Sequence, residues 1–214
     1  MNEELYNRVS ELGVSIEHVC EVGVWKPESS NILMFIREGI RADLIEPDPI
    51  TVKELKEYFR DFQNVNIHNY AVFDKSGKIE LFRKGASTFV GELPSSPATI
   101  NDNYTKNEDD SFLADSIPFG ELDDGSIDVL SIDTEGCEWF VLMTMKSRPH
   151  VISIETHGKK YVNPYMKEIE EWIERNNYSV WYKDKSDTVY YNSSKIHISK
   201  RSLFRRLLEL LKKR

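Results

Sequence analysis

His18-Val19-Cys20-Glu21-Val22-Gly23-Val24 is a short apolar run, rich in valine and followed by a turn. Such a run predicts a strand buried on both faces. Outward from it, Ser29-Ser30 caps a helix over 31–38 that Gly39 ends. A second strand runs from Ala42 to Glu46, where Pro47 and Pro49 stop it and start a helix over 49–61. Upstream, 3–12 reads as a short helix. Downstream, 65–73 reads as a third strand, Lys75-Ser76-Gly77-Lys78 as a turn, and 79–82 as a short extra strand. The stretch 84–111, full of Gly, Ser, Pro, Asn and Asp, reads as a long loop with a small strand near Phe89. Regular patterning returns with strands over 127–132 and 151–155, helices over 138–145 and 166–175, and a hairpin of 178–182 and 188–191. Strands alternating with helices predict an α/β domain over 1–198, with a mostly parallel sheet covered by helices on both faces. The closing hairpin puts one antiparallel strand into that sheet.

Composition narrows the class. The chain has 214 residues, 40% hydrophobic and 30% charged, which suits one globular domain. Its net charge of -8 argues against a nucleic-acid partner, because an acidic surface repels a phosphate backbone. The two cysteines, Cys20 and Cys137, sit among apolar residues without zinc-site spacing, so they read as packing thiols of a reducing cytoplasm. The polar start Met1-Asn2-Glu3-Glu4 is unlike a signal peptide, and no apolar run approaches the roughly 20 residues of a membrane span.

Four pieces carry chemistry. Glu21 near the end of the first strand, followed by Gly23, permits close backbone approach to a ligand; a glycine required by a tight turn is the plainer reading. Glu46 at the end of the second strand can accept hydrogen bonds from a ribose diol, or be a solvated acid before Pro47. Asp133-Thr134-Glu135-Gly136-Cys137-Glu138 puts three carboxylates after a buried strand, to face a cofactor, hold a metal or move a proton, while Glu138 also suits a helix N-terminus. His157, just past the next strand, is placed for general-base work near neutral pH, although a lone histidine is more often structural.

Together these pieces resemble the FkbM family of S-adenosylmethionine-dependent methyltransferases. The resemblance runs from about Val19 to Tyr191. The family's first motif, Asp-Val-Gly-Ala-Asn-x-Gly-x-x-Ser, is matched by Glu21 to Ser30 in its acid, first glycine and closing serine, while Trp25 and Pro27 depart from it. Glu46-Pro47 is similar to the ribose-binding acid and proline. The segment 69–77, with Ala71, Asp74 and Gly77, resembles the segment near the adenine. Ile132 to Glu138 resembles Ile-Asp-x-Glu-Gly-x-Glu, and Glu155-Thr156-His157 the acid and histidine that follow. The resemblance implies a Rossmann-like fold with a seven-stranded sheet. It implies that S-adenosylmethionine is held by Glu21, Gly23, Val24, Ser30, Glu46, Pro47, Asn69, Ala71 and Asp133. It also implies O-methylation of sugars or other small natural-product hydroxyls.

An alcohol acceptor must lose its proton as the new bond forms, with His157 the first candidate base and Asp133 the second. Alternatively, Asp133, Glu135 and Glu155 hold a divalent cation that polarises the hydroxyl. This ranks lower, because three acids on neighbouring strands do not fix ligand geometry. The 84–111 loop is expected on the acceptor side, with Phe89 and Tyr104 facing a sugar or simply packing. The tail 199–214 reads as a basic amphipathic helix, with Leu203, Phe204, Leu207, Leu208 and Leu211 on one face. It suits the inner, anionic face of a membrane, or docking on the domain or on a protein partner. A catalytically inactive cofactor-binding module is the rival from another class. A nicotinamide dehydrogenase is disfavoured, since Gly-x-Gly-x-x-Gly does not follow the first strand.

Overall fold

The computed structural model describes residues 3–197 except 86, 94, 102, 103 and 159. The chain runs through α1 (Glu3–Ser10), β1 (His18–Val22), a 3-10 turn (Pro27–Ser29), α2 (Leu33–Arg37), β2 (Arg41–Ile45), α3 (Pro49–Tyr58), β3 (Val65–His68), β4 (Ala71–Val72), β5 (Gly77–Lys84) and β6 (Ser87–Val90). It continues through α4 (Pro97–Asn101), β7 (Ser111–Ile117), α5 (Phe119–Leu122), β8 (Val129–Ile132), α6 (Glu138–Thr144), β9 (Val151–Glu155), β10 (His157–Gly158), β11 (Tyr161–Val162), α7 (Met166–Arg175), β12 (Tyr178–Lys183) and β13 (Asp187–Asn192).

The main sheet has seven strands in the order β12-β13-β9-β8-β1-β2-β3. Neighbours from β9 to β3 are parallel, and β13 runs antiparallel to both β9 and β12. Chain order reverses between β1 and β8, so a crevice opens there at the carboxyl ends of the strands. This is a Rossmann-like methyltransferase fold with the expected seven-stranded sheet and closing hairpin. Alternation along the strands builds two cores. Val19, Leu44, Val129 and Val151 pack with Leu5 and Val9 of α1, Phe35 and Ile36 of α2 and Leu55 of α3. Cys20, Val22, Leu130, Ile132, Ile152 and Ile154 pack with Phe119 of α5, Val141 and Leu142 of α6 and Ile169 of α7. Burial on both faces makes the central strands continuous apolar runs.

Three sequence expectations are corrected. The stretch 65–73 is two strands in different sheets, broken at Asn69, whose side-chain N–H donates to the carbonyls of Glu46 and Pro47, 2.9 Å each. The stretch 84–111 is no single loop: it holds β6, α4 and a 3-10 turn (Glu108–Asp110). A strand not foreseen, β7, joins a second sheet in the order β4-β7-β5-β6. It escapes a hydropathy reading because Leu113 points outward, 69% exposed, while the small Ala114 points inward at 7%. The helix predicted from residue 31 starts later, at Leu33, although Ser30 Oγ does accept the Ile32 N–H ahead of it. The tail 199–214, with its expected basic helix, lies outside the described residues.

One polar cluster ties three parallel strands on the α5–α7 face. Asp43 of β2 accepts hydrogen bonds from Asn66 Nδ2 (3.0 Å) and pairs with His18 Nε2 (2.6 Å) and His68 Nε2 (3.0 Å). Burial alone would raise its proton affinity, but hydrogen bonds from His18, His68 and Asn66 outweigh that and hold its carboxyl well below the ordinary range. Replacing Asp43 by Ala leaves buried donors without an acceptor and is expected to cost about 3 kcal/mol of stability. Urea unfolding measures this; a loss under about 1 kcal/mol would show that the cluster is not what joins β1, β2 and β3.

Candidate functional site

The turn after β1 is built around Gly23. Its φ is +86°, and a Cβ added there would stand 1.7 Å from the carbonyl oxygen of Asp133. The Gly23 N–H donates to the Ile45 carbonyl, and the Asp133 N–H donates to the Val22 carbonyl, both at 2.9 Å. The ends of β1, β2 and β8 are therefore locked together, and the glycine is required by approach of protein backbone.

Glu46 projects from the end of β2 toward this turn. Its two oxygens accept from the backbone N–H groups of Val24 (3.0 Å) and Asp48 (2.8 Å). Burial pushes its carboxyl up to about 7, against the opposing pull of those hydrogen bonds. Asp48 caps α3 through the Ile50 N–H and is gripped by Arg83 of β5 at 2.5 and 2.8 Å, which pins the second sheet to this corner. A cavity opens beside Glu46, about 670 Å³ including space open to solvent. Gly23, Val24, Pro47 and Ala71 line it, with Leu81, Thr88 and Val90 of the second sheet opposite. The 84–111 stretch thus reaches the Glu46 side of the crevice. Phe89 is buried there against Phe82 and Tyr104, and the Tyr104 hydroxyl donates to Asp110 at 2.6 Å, so both are packing residues. Asn69, exposed and bonded to the backbone of Glu46 and Pro47, shapes the corner from outside.

A second cavity adjoins the first and shares Gly23, Val24, Trp25, Asp133 and Glu135 with it. Glu21 and Ser30 are in its wall. The Ser30 hydroxyl donates to Glu21 (2.5 Å), whose other oxygen accepts the Asn31 N–H (2.9 Å). The same hydroxyl oxygen accepts the Ile32 N–H at 3.3 Å, so the serine serves both the strand end and the approach to α2. Burial pushes Glu21 up to about 7 as well. Pro27, at the position where the family motif has glycine, starts the 3-10 turn and is itself buried.

The loop after β8 concentrates negative charge. Glu138 is fully buried and accepts from the Thr134 N–H (2.9 Å), the Thr134 hydroxyl (3.0 Å), the Gly136 N–H (3.1 Å) and the Asn163 side chain, so it holds the loop shut. Asp133 and Glu135 instead face both cavities. Asp133 is exposed toward the crevice, with protein atoms crowded behind it. Their desolvation of the carboxyl, with the charges of Glu135, Asp187 and Glu138, raises its proton affinity. Glu155 is raised in the same sense by burial and by Asp133, to which it is hydrogen bonded. His157 lines neither cavity; its Nδ1 lies 2.9 Å from the Thr156 hydroxyl and its backbone N–H donates to Ser186. Sequence reasoning missed Trp25, 48% exposed at the junction of both cavities, and the lining residues of β5 and β6. Only the departure of Trp25 from the motif hinted at it.

The Methyltransferase FkbM domain family matches residues 13–180. The chain belongs to the FkbM methyltransferase family. It is accordingly an S-adenosylmethionine-dependent methyltransferase. No curated protein matches its sequence. Similar solved structures include a SAM-dependent methyltransferase from Aquifex aeolicus, at 12% identity and TM-score 0.45 over 88% of each chain. Another is M. jannaschii TYW2 in complex with AdoMet, at 10% identity and TM-score 0.40 over 90% of this chain and 77% of that one. The strand order itself carries the fold assignment. The crevice fits the cofactor: one cavity beside an acid at the end of β2 and a second beside the acid of β1 meet at Gly23. Among the described residues no helix is long and apolar enough to cross a membrane.

The site sets a pH dependence. Glu21 and Glu46 keep their protons to about 7 when folded but lose them near about 4.3 when unfolded, so stability falls as pH rises between those values. Asp43 acts in the opposite sense, and its contribution is lost as pH drops below about 3.9. Urea midpoints of the cofactor-free protein should peak at about pH 4 to 5; a peak above pH 7 would contradict these assignments.

Proposed function

We propose that the protein O-methylates a hydroxyl of a sugar, in a surface polysaccharide or glycoconjugate, or of a small natural product. The observation that carries this reading is the position of Asp133, which lines both cavities where they meet. The bound cofactor supplies a methyl group on a sulfonium that is already its own leaving group. The protein's share is alignment, exclusion of water and removal of one proton. Glu46 orients the ribose side, and Glu21 with Ser30 shapes the methionine side. Asp133, at the meeting of the two cavities, is placed for its carboxylate to accept the hydroxyl proton. His157, turned toward Thr156 and outside both cavity linings, is not needed for this step.

The second cavity gives the acceptor room. Ser153, Tyr182 and Ser186 line it and suit a polyhydroxylated molecule, while Glu4, Glu21, Asp184 and Asp187 outnumber the cation Lys185 and disfavour a phosphate backbone. A saccharide is therefore the acceptor class, and nucleic acid is not. The basic residues of 202–214 suit an enzyme that meets its acceptor at the inner face of a membrane.

Calorimetry with S-adenosylmethionine should give saturable binding, weakened at least about tenfold in Glu46→Ala, a loss of about 1.4 kcal/mol. Methyl transfer to a panel of sugars should fall by about a hundredfold or more in Asp133→Asn and stay within about threefold in His157→Ala. Equal turnover of Asp133→Asn and wild type would overturn the assignment of the base. Binding without transfer across the whole panel would favour the inactive module.

A further inference from the structure

We propose that Asp133, Glu135 and Glu155 form a binding site for a divalent cation of the Mg²⁺ and Mn²⁺ class, at the junction of the two cavities. The site itself follows from geometry, and its role in catalysis rests on the proposed methyl transfer to a hydroxyl.

One oxygen from each of the three carboxylates lies within 4.8 Å of the others. Oxygens bound to one ion at about 2.0 to 2.6 Å stand at most about 4 to 5 Å apart, so this spread matches a shared cation. The register of the sheet explains the meeting. Ile132 of β8 pairs with Ile154 of β9, so Asp133 and Glu155 leave neighbouring strands side by side. Glu135 comes round on the following loop, where its φ is +55°.

A second observation comes from β11. Tyr161 of β11 is 2% exposed, and its hydroxyl has no hydrogen-bond partner among the described residues. The hydroxyl lies against Gly136, 3.4 Å from where a Cβ there would stand. Gly136 directly follows Glu135, so the hydroxyl stands beside the loop that carries this carboxylate. Beyond the contact of Glu155 with Asp133, its Oε2 is also buried without a donor among the described residues. Buried polar atoms left in this state are costly and rare in folded proteins. A hydrated cation resolves both. Glu155 gains a ligand bond, Tyr161 gains a metal-bound water, and the repulsion among three clustered carboxylates turns into attraction.

The donor set is all carboxylate, with no imidazole and no thiolate among the three. That selects a hard cation over zinc or copper. Asp133 and Glu135 also line both cavities, so an ion held by them is open to an acceptor hydroxyl. Coordination there lowers the affinity of that hydroxyl for its proton. One oxygen of Asp133 then holds the ion, and the other remains to accept the proton.

Mn²⁺ alone tests the site on the full chain, by the electron paramagnetic resonance of the free ion, without cofactor or acceptor. The expected result is one Mn²⁺ per chain, bound about tenfold more weakly by Tyr161→Phe and more weakly still by Glu155→Gln. Glu155→Gln removes a charge from a repelling group, so thermal melting should show it folded; if it is not, Glu135→Gln carries the same test. No saturable Mn²⁺ binding, or equal binding by wild type and the glutamine variant, would overturn the site. Titration of S-adenosylmethionine in EDTA separates the two readings. Cofactor binding and methyl transfer that persist there without a Mn²⁺ site leave the methyltransferase reading standing and remove only the cation. Mn²⁺ binding without cofactor binding does the reverse.

Discussion

The carbonyl oxygen of Asp133 fills the space that any side chain at position 23 would need. Two loops, one after β1 and one after β8, approach so closely that their backbones touch across the strand-order reversal. Everything in the crevice is referenced to that contact. It sets the direction in which Asp133 leaves its strand, and it leaves the Val24 N–H free to meet Glu46. It also brings the walls of both cavities to the same residue. A methyl donor and a hydroxyl must meet end to end within a fraction of an ångström, and a backbone contact that no rotamer can relax is a suitable origin for that alignment.

Around this point the protein spends buried carboxylates freely, but in different ways. Glu138 is consumed by its own loop and by Asn163, and Glu46 and Glu21 each hold backbone N–H groups in the segments that follow β1 or β2. Asp133, Glu135 and Glu155 are the ones presented to one another. The second sheet completes the arrangement from outside. Arg83 grips Asp48, two residues beyond Glu46, so the cover over the first cavity and the acid beneath it move as one piece.

Much of this was legible in the sequence. The central strands are buried on both faces, and valine and isoleucine runs such as 18–24 and 127–132 announce that plainly. Glycine and acid at the strand ends marked the crevice, because position along a parallel strand fixes position in the sheet. The second sheet was hidden for a physical reason. In β7 the large residue faces solvent and the small one faces the core, which inverts the usual pattern. Ser30 looked like a cap because serine is a good one, and its oxygen does accept the Ile32 N–H, but its hydroxyl also donates to a buried carboxylate that the sequence did not reveal. Tyr161 and the cavity-lining face of Thr88 and Val90 carry no local signal, since their roles arise only when distant segments fold together. His157 stood near Asp133 along the sheet, but a local partner, Thr156, engages its ring.

The antiparallel strand β13 has a consequence for synthesis. It lies between β9 and β12, and its approach places Ser186 where the backbone N–H groups of Thr156 and His157 both donate. Until residue 192 has cleared the ribosome, β9 is left with a bare edge of hydrogen-bonding groups, a template for unwanted pairing. The Asp184–Asp187 wall of the second cavity arrives with the same strand. A nascent chain therefore gains its first cavity long before its second, and competence for chemistry waits for β13.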